Sequence, residues 1–424
     1  MKNTQFFRLN SDCILVKGAK RGAIYDLISG DVYSINAKSV NILEKLNSGK
    51  SLAITSKETG IDQEKIASYL NNLQNQKLGK WIAEPEIEIA LEQPNEEEVL
   101  RYVLHLELTN GCNLRCLHCY NESNINKLYA TNKLSNNDWE RVIRDAYKLG
   151  CRRVQFIGGE PFLRRELLYE LIILAESLGY TTIEVSTNGT LMVEKDFSFL
   201  KTHGVSLAFS LYSYKAQTHD SITTRSGSWE KTLEAIKKAV EASIPQRVSV
   251  VIMKNNEEEA KETMDFLKSL GIQNIKSTFI DPVGRGDNEQ LITDTIVKHQ
   301  IVTKPSFYKF NRRTFWRNRL GHNCFLEQIC IAADGNVYPC LEERRISYGN
   351  IRYSPLTDVL SSELAKKIRG LSKDYIETCK DCEYRYCCFD CRVRTGDFLD
   401  KPVHLKPWWC SYNPYTGEWS DIRF

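Results

Sequence analysis

"TNGCNLRCLHCYN", residues 109–121, places Cys112, Cys116 and Cys119 on one short loop, at spacings of four and three residues. A structural zinc ion is normally held by four ligands, whereas a redox dithiol needs only two cysteines. Three convergent thiolates suit an iron–sulfur cluster that keeps one iron open for another ligand. The spacing favours this cluster, and zinc with His118 as a fourth ligand stays an alternative.

Six strand-like runs alternate with helical patterns between residues 101 and 283, and the first run ends directly before the cysteine loop. This alternation predicts an α/β fold with a parallel sheet or barrel. In such folds, functional residues gather at the carboxyl ends of the strands. The six runs are RYVLHLEL, RRVQFIGG, TTIEVSTN, VSLAFSLY, RVSVVIM and IKSTFIDP.

The cysteine loop and the sequence GGEP (158–161) after the second run together resemble the radical S-adenosylmethionine (SAM) superfamily, whose signature is CxxxCxxC. The resemblance spans roughly residues 101–300 and implies a partial (β/α)6 barrel. It implies that Cys112, Cys116 and Cys119 hold a catalytic 4Fe–4S cluster whose open iron binds SAM. An electron from the cluster would then release a 5′-deoxyadenosyl radical, which removes a hydrogen atom from the substrate.

The resemblance also implies which residues contact SAM. Glycines in the motif let a ligand approach the backbone closely. For Ser210 and Arg225, a hydrogen bond at the barrel rim or a surface charge explains the residue equally well. The implied contacts are Gly158, Gly159, Glu160 and Pro161 for the methionyl amino group, Ser186, Thr187 and Asn188 for the ribose and carboxylate, Ser210 for the ribose, Arg225 for the carboxylate, and His118 and Tyr120 for the adenine.

Nine of the fourteen cysteines lie between Cys324 and Cys410, in a section with few regular patterns. Clustered cysteines in a reducing compartment favour metal over disulfides. The pattern resembles the SPASM extension of radical SAM enzymes, which implies two auxiliary 4Fe–4S clusters and three clusters in all. Two zinc sites are the alternative. The implied ligands are Cys324, Cys330, Cys340 and Cys391 for one cluster, and Cys379, Cys382, Cys387 and Cys410 for the other.

The choice of Cys387 over its neighbour Cys388 depends on spacing. The usual pattern has one cysteine five residues after the CxxC pair and three residues before the next ligand. Cys388 satisfies the first interval and Cys387 the second, so neither satisfies both. We prefer Cys387, because the sequence YRYC leads into the CxxxC step that ends at Cys391.

Residues 1–82 predict a small separate domain, with a hairpin at residues 29–31 followed by helical runs and a closing strand. This order resembles the winged-helix-like domains that recognise leader peptides, which bind as an added strand. DNA binding is less well supported, because residues 1–90 carry 12 Lys/Arg and 10 Asp/Glu, a weak excess of positive charge. The predicted domains are 1–82, a linker at 83–100, a radical SAM barrel at 101–304 and a SPASM domain at 305–424.

These resemblances predict a radical SAM enzyme that modifies a ribosomally synthesised precursor peptide bound through its leader. Flavodoxin or ferredoxin is the expected electron donor, and a separate leader-binding protein is an optional partner. The product is left open among carbon–carbon or aryl crosslinks, thioethers, epimerisation and a splicease-type excision of tyramine. A sulfatase-maturing enzyme is an alternative, although such enzymes have an aspartate where this chain has Leu341. A zinc-binding winged-helix regulator is the alternative from another class.

Composition excludes several other functions. The net charge of +3 predicts no general attraction to nucleic acid or to a membrane surface. No apolar run is long enough to span a bilayer, and the amino end lacks the apolar core of a secretion signal. We therefore expect a cytoplasmic protein without a nucleic-acid or membrane partner.

Overall fold

The computed structural model describes residues 5–85, 94–130, 134–300, 309–389, 391–393, 405–407 and 409–420. Residues 86–93 of the predicted linker lie outside the described residues, as do several segments of the predicted SPASM domain. Within the described part of the chain, no helix has both the length and the apolar character needed to cross a membrane.

The amino-terminal unit has two small antiparallel sheets and three helices around its own core. Its elements are β1 (Phe6–Leu9), β2 (Cys13–Lys17), β3 (Arg21–Asp26), β4 (Val32–Asn36), α1 (Ala37–Asn47), α2 (Leu52–Thr59), α3 (Gln63–Asn75) and β5 (Gly79–Ile82). One sheet has the order β2-β3-β4, and β1 pairs with β5. The predicted hairpin at residues 29–31 joins β3 to β4. Leu43 of α1 and Leu70 of α3 are fully buried in this core.

Six parallel strands form the centre of the molecule, and they are the six strands predicted from the sequence. They are β6 (Val103–Glu107), β7 (Arg153–Ile157), β8 (Thr182–Ser186), β9 (Ser206–Ser210), β10 (Gln246–Ile252) and β11 (Ile275–Phe279). They lie side by side in chain order. Leu106, Phe156 and Val185, from three neighbouring strands, are fully buried. The predicted α/β class with a partial β/α barrel is confirmed.

Helices connect these strands, as parallel pairing requires, and one further helix lies before the first strand and another after the last. They are α4 (Glu96–Val99), α5 (Lys127–Ala130), α6 (Asn136–Lys148), α7 (Arg165–Leu178), α8 (Glu194–Thr202), α9 (Ala216–Thr223), α10 (Ser228–Glu241), α11 (Ala260–Ser269) and α12 (Asp294–Gln300). The start of α6 is fixed by a capping box, in which Ser135 and Asp138 each accept from the other's backbone N–H, at 3.2 and 3.0 Å. The end of α7 is set by Gly179, whose φ of 89° suits a glycine.

The carboxyl-terminal section extends the barrel sheet. Its elements are α13 (Arg312–Leu320), β12 (Gln328–Ile331), β13 (Asn336–Tyr338), β14 (Gly349–Asn350), α14 (Leu356–Leu360), α15 (Glu363–Arg369), β15 (Tyr412–Asn413) and β16 (Glu418–Trp419). Strand β12 pairs in parallel with β6, which gives a nine-stranded sheet of order β11-β10-β9-β8-β7-β6-β12-β13-β14. The sheet thus continues across the boundary predicted at residue 304. Sequence patterns missed these strands because they are only two to four residues long.

Tyr25 of β3 anchors the amino-terminal unit to the carboxyl-terminal section. Its side chain is fully buried and lies edge-on to Phe315 and Tyr386, with ring centroids 5.5 and 6.4 Å away. Its hydroxyl donates to the carbonyl oxygen of Glu383 at 2.7 Å. The two ends of the chain therefore share one apolar cluster, separate from the barrel core.

Candidate active site and cysteine clusters

A cavity of about 490 Å³, which we call the inner cavity, lies at the carboxyl ends of the barrel strands. Most of the residues predicted to hold the first cluster or to contact SAM line it, although they come from distant parts of the sequence. Those that line it are Cys112, Cys116, His118, Cys119, Tyr120, Gly158, Gly159, Ser186, Thr187, Asn188 and Ser210. The other three predicted SAM contacts, Glu160, Pro161 and Arg225, are not among its lining residues.

The two glycines of GGEP are required by backbone packing. A Cβ atom on Gly159 would collide with the carbonyl oxygen of Gly111, and one on Gly158 with that of Thr109. The φ of Gly158, 131°, is also unfavourable for any other residue. Backbone N–H groups of Gly159 and Glu160 donate to Thr109 and Gly111 at 2.6 and 2.9 Å. The end of β7 is thereby locked to the start of the cysteine loop.

Glu160 lies behind the cavity wall and is fully buried. Its carboxylate accepts from the Thr187 hydroxyl at 2.8 Å and from the Asn188 backbone N–H at 2.9 Å. Burial raises the pKa of Glu160 to about 7. Pro161 begins the turn that follows, Pro161–Arg164, and is buried as well. Glu160 therefore positions Thr187 and Asn188 rather than face the cavity itself.

Arg285, a residue that the sequence motifs did not predict to be functional, braces the cysteine loop. Its Nε donates to the carbonyl oxygen of Cys116 at 2.8 Å, and its Nη2 to that of Ser123 at 3.0 Å. The neighbouring Gly284 has a φ of 57°, and a Cβ there would collide with the backbone of Tyr120. The available signal was the sequence GRG directly after the sixth predicted strand, at a strand end where functional residues gather.

Three buried polar atoms at the inner cavity have no hydrogen-bond partner among the described residues: His118 Nδ1, Ser123 Oγ and His219 Nε2. The backbone N–H of Tyr212 donates to His219 Nδ1 at 3.2 Å, so His219 Nε2 carries the proton. Burial lowers the pKa of both histidines to about 4, so both are neutral at pH 7. Unpaired buried polar atoms are costly, which indicates that a polar ligand completes this site. A molecule with amino, carboxylate, hydroxyl and adenine groups, such as SAM, fits these residues.

A row of polar side chains crosses the interior faces of β6, β7, β8 and β10. His105 Nδ1 lies 2.8 Å from Gln155 Oε1, and Gln155 Nε2 donates to Glu184 at 2.6 Å. Arg247 donates to both oxygens of Glu184, at 2.9 Å each. Because the Gln155 amide nitrogen faces Glu184, its oxygen must accept the proton of His105 Nδ1. His105, Gln155 and Arg247 line the inner cavity, and the sequence analysis named none of this row.

Arg225 lies on the other side of the cysteine loop. It lines a second cavity, which we call the outer cavity, also of about 490 Å³. Its Nη1 donates to the carbonyl oxygen of Asn113 at 2.7 Å. The predicted role of Arg225 at the SAM carboxylate therefore has no support in this geometry, because its guanidinium braces the loop from outside.

The first carboxyl-terminal cysteine set is partly assembled. Cys330 is in β12, and Cys340 follows the adjacent β13. Burial raises the pKa of Cys340 well above its usual value, and the nearby charge of Cys330 raises it further. The backbone N–H of Glu343 donates to Cys340 Sγ at 3.2 Å. Cys324 and Cys340 both pack against the barrel core. That Cys391 joins this set stays a prediction.

In the second set, Cys388 rather than the expected Cys387 shares a cavity with the other three cysteines. Four cysteines line one cavity in the carboxyl-terminal section: Cys379, Cys382, Cys388 and Cys410. The sulfur of Cys387 points elsewhere, 3.3 Å from the carbonyl oxygen of Tyr384 and 3.6 Å from the hydroxyl of Tyr25. Across the described residues, no three Cys, His, Asp or Glu side chains are arranged to hold a single metal ion.

Comparison with known families gives two matches. The Radical SAM superfamily matches residues 106–267, and the SPASM iron–sulfur cluster-binding domain matches residues 324–383. A probable GTP 3′,8-cyclase of Saccharolobus solfataricus is 30% identical over 220 residues, which cover 51% of this chain and 69% of that protein. The chain therefore belongs to the radical SAM superfamily, and it carries a SPASM domain.

Other relatives differ in their named activities. An AdoMet-dependent heme synthase of Methanosarcina barkeri is 26% identical over 73% of this chain and 95% of its own length. The subtilosin biosynthesis protein AlbA of Bacillus subtilis is 26% identical over 68% of this chain and 66% of its own length. Among solved structures, SuiB of Streptococcus suis bound to SAM has a TM-score of 0.57 at 15% identity. That match covers 96% of this chain and 100% of SuiB, and it shows the fold alone.

Proposed function

We propose that this radical SAM enzyme modifies a ribosomally synthesised precursor peptide. The observation that carries the proposal is the inner cavity, where the cysteine loop, three unpaired buried polar atoms and the His105–Arg247 row surround one space. Bound SAM and its cluster supply the radical that removes a hydrogen atom from the peptide. The protein orients the peptide side chain and keeps water out.

The SAM-binding roles are assigned to the residues that line the inner cavity. Cys112, Cys116 and Cys119 hold the cluster, which Arg285 keeps in place by bracing their loop. Glu160 acts indirectly, by holding the segment that follows β8. The residues proposed to contact SAM are His118, Tyr120, Gly158, Gly159, Ser186, Thr187, Asn188 and Ser210, with Ser123 and His219 added from their unpaired atoms.

Two auxiliary 4Fe–4S clusters complete the proposed cofactor set. One is held by Cys324, Cys330, Cys340 and Cys391, and the other by Cys379, Cys382, Cys388 and Cys410. Each cluster would have four thiolate ligands and therefore no open iron. This suits a role in accepting electrons better than a role in binding a substrate thiol. The predicted domain boundaries, a cytoplasmic location and flavodoxin or ferredoxin as electron donor belong to the same proposal.

Two comparisons support a peptide as the substrate. AlbA is named for the biosynthesis of a bacteriocin, and SuiB has been solved with its precursor peptide SuiA. The SuiB match extends over 96% of this chain, including the amino-terminal unit. We propose that this unit receives the leader as an added strand, alone or with a separate leader-binding protein. The product is left open among crosslinking, thioether formation, epimerisation and tyramine excision.

A sulfatase-maturing activity is a weaker candidate for this site. Leu341, at the position of the aspartate base in that group, lines the inner cavity. Its aliphatic side chain cannot act as that base, and the neighbouring carboxylate that lines the cavity, Glu342, lies one residue away from the expected position. We therefore retain the peptide maturase as the leading function.

Anaerobic purification and reconstitution test the proposal. We expect about twelve irons and matching sulfide per chain, from three clusters of four irons each. Dithionite and SAM should then give 5′-deoxyadenosine, and Cys116→Ala should abolish it. Zinc without sulfide would instead support a winged-helix regulator. Coexpression with short peptides encoded beside the gene, followed by mass spectrometry, identifies the substrate and the mass change.

A further inference from the structure

The cysteine loop is a thin wall between the inner and the outer cavity. Cys112 and Leu114 line both cavities, one on each side of the loop. The outer cavity opens to solvent between the exposed side chains of Arg115, Asn126 and Arg225. A molecule seated in the outer cavity therefore meets the backbone and thiol of a proposed cluster ligand directly.

The outer cavity is positively charged. Arg115 and Arg225 line it, and none of the described residues that line it is acidic. Neither guanidinium forms an ion pair within the described part of the chain. That of Arg225 donates to the backbone carbonyl oxygen of Asn113. Two uncompensated positive charges stand out on a chain whose net charge is only +3. Such a patch attracts an acidic partner and steers its approach.

Apolar surface lies beside the two arginines. Ile125 is 53% exposed at the edge of the outer cavity, and Leu114 forms part of its floor. A concave site with an apolar floor and a cationic rim suits a partner that presents a planar apolar edge surrounded by carboxylates. A flavoprotein whose flavin edge reaches its surface has this form, whereas a wholly polar acidic surface would leave Ile125 and Leu114 unmatched.

We propose that the outer cavity is the docking surface for an acidic, flavodoxin-type electron carrier, and that the electron enters through the wall at Cys112. The inference rests on the proposed function, because it needs a reducible cluster on the cysteine loop. In the transfer, the reduced flavin is oxidised by one electron and the cluster is reduced by the same electron. No proton or covalent bond is exchanged.

Charge reversal at the rim tests this surface. Arg115→Glu should bind oxidised flavodoxin about tenfold more weakly than wild type at low ionic strength, as measured by isothermal titration calorimetry. Photoreduced flavodoxin should also drive 5′-deoxyadenosine formation by this variant about tenfold more slowly. Dithionite, a small reductant that needs no docking, should drive the variant at the wild-type rate. The difference between variant and wild type should shrink at 1 M salt, where the Debye length is about 3 Å. Asn126→Glu, which adds a negative charge at the same rim, should behave similarly.

Lys57→Glu is the matched control, since Lys57 is exposed on α2 of the amino-terminal unit and the change in charge is identical. It should leave the rate with either reductant unchanged. Equal rates for Arg115→Glu and wild type with flavodoxin would overturn the docking surface. The docking surface would also be overturned if Arg115→Glu lost as much activity with dithionite as with flavodoxin. The same holds if the variant lost activity only with reduced ferredoxin. Wild-type protein that forms no 5′-deoxyadenosine with dithionite would instead refute the proposed function.

Discussion

His105 Nδ1 donates to Gln155 Oε1 across 2.8 Å, and this hydrogen bond fixes the histidine in one tautomer. The other ring nitrogen, Nε2, has a lone pair and no protein partner among the described residues. Burial lowers the pKa of His105, which keeps the ring neutral. His105 also lines the inner cavity. The ring therefore offers a hydrogen-bond acceptor to whatever side chain enters the barrel.

Two substitutions at His105 distinguish the acceptor role of Nε2 from the hydrogen bond that Nδ1 donates to Gln155. In His105→Asn, the side-chain amide can still donate to Gln155, but the acceptor at Nε2 is lost. We expect the KM for the precursor peptide to rise about fivefold, equivalent to ~1 kcal/mol for one neutral hydrogen bond. Thermal unfolding should change little. His105→Ala, which loses both functions, should also lower the unfolding temperature. An unchanged KM in both variants would refute the acceptor role.

Iron content distinguishes Cys388 from Cys387. Cys388→Ala removes one of the four thiols that line the carboxyl-terminal cavity, so about four of twelve irons should be lost. Cys387→Ala is the matched control and should retain all twelve, because its sulfur faces Tyr25 and Tyr384. Iron and sulfide analysis with Mössbauer spectroscopy measures both. The reverse pattern would restore the assignment made from spacing.

The contact between Tyr25 and Glu383 should contribute to stability. Tyr25→Phe removes the hydroxyl that donates to the carbonyl oxygen of Glu383, and it should lower the free energy of unfolding by about 1 kcal/mol. Tyr25→Ala also leaves a cavity and should cost about 3–5 kcal/mol. Tyr353→Phe, at a position that is 79% exposed, should change stability by less than ~0.5 kcal/mol. Urea unfolding of the reconstituted protein measures all three, and equal effects would contradict the anchoring role.

Thiol reactivity gives a prediction that depends on pH. Burial raises the pKa of Cys13 and of Cys151 from 9.0 to about 12. Their contribution to folding stability is therefore complete below pH 9 and is lost as the pH rises toward 12. At pH 8, iodoacetamide should label neither thiol in the folded protein, and both after unfolding in urea. Mass spectrometry of tryptic peptides measures the labelling, and rapid native labelling would show that the thiols are accessible.

Local patterns were enough to predict the barrel and most of the inner cavity. All six parallel strands contain apolar residues, and their carboxyl ends carry residues that line one cavity. A parallel sheet brings such ends to one edge, so residues as distant as Cys112 and Ser210 meet without any long-range signal in the sequence. The amino-terminal hairpin was predicted for a similar reason, since turn residues separate two alternating runs.

Long-range packing was beyond those patterns. The pairing of β12 with β6 joins strands about 220 residues apart, and a four-residue strand carries too little periodicity to reveal it. His105, Gln155 and Glu184 looked like ordinary polar positions in alternating strands, and only the sheet register aligns them. Spacing could not decide whether Cys387 or Cys388 is the cluster ligand. The direction of each sulfur depends on how Tyr25 packs against these two residues.

The sheet that runs from the barrel into the carboxyl-terminal section has a consequence for redox chemistry. Cys330 on β12 is the register partner of His105 on β6, and β6 leads directly into the cysteine loop. Cys330 and the start of the cysteine loop are thus tied to adjacent strands, whose register is fixed by backbone hydrogen bonds. The pairing of these strands therefore sets how far Cys330, a proposed ligand of an auxiliary cluster, lies from the strand that leads into the cysteine loop.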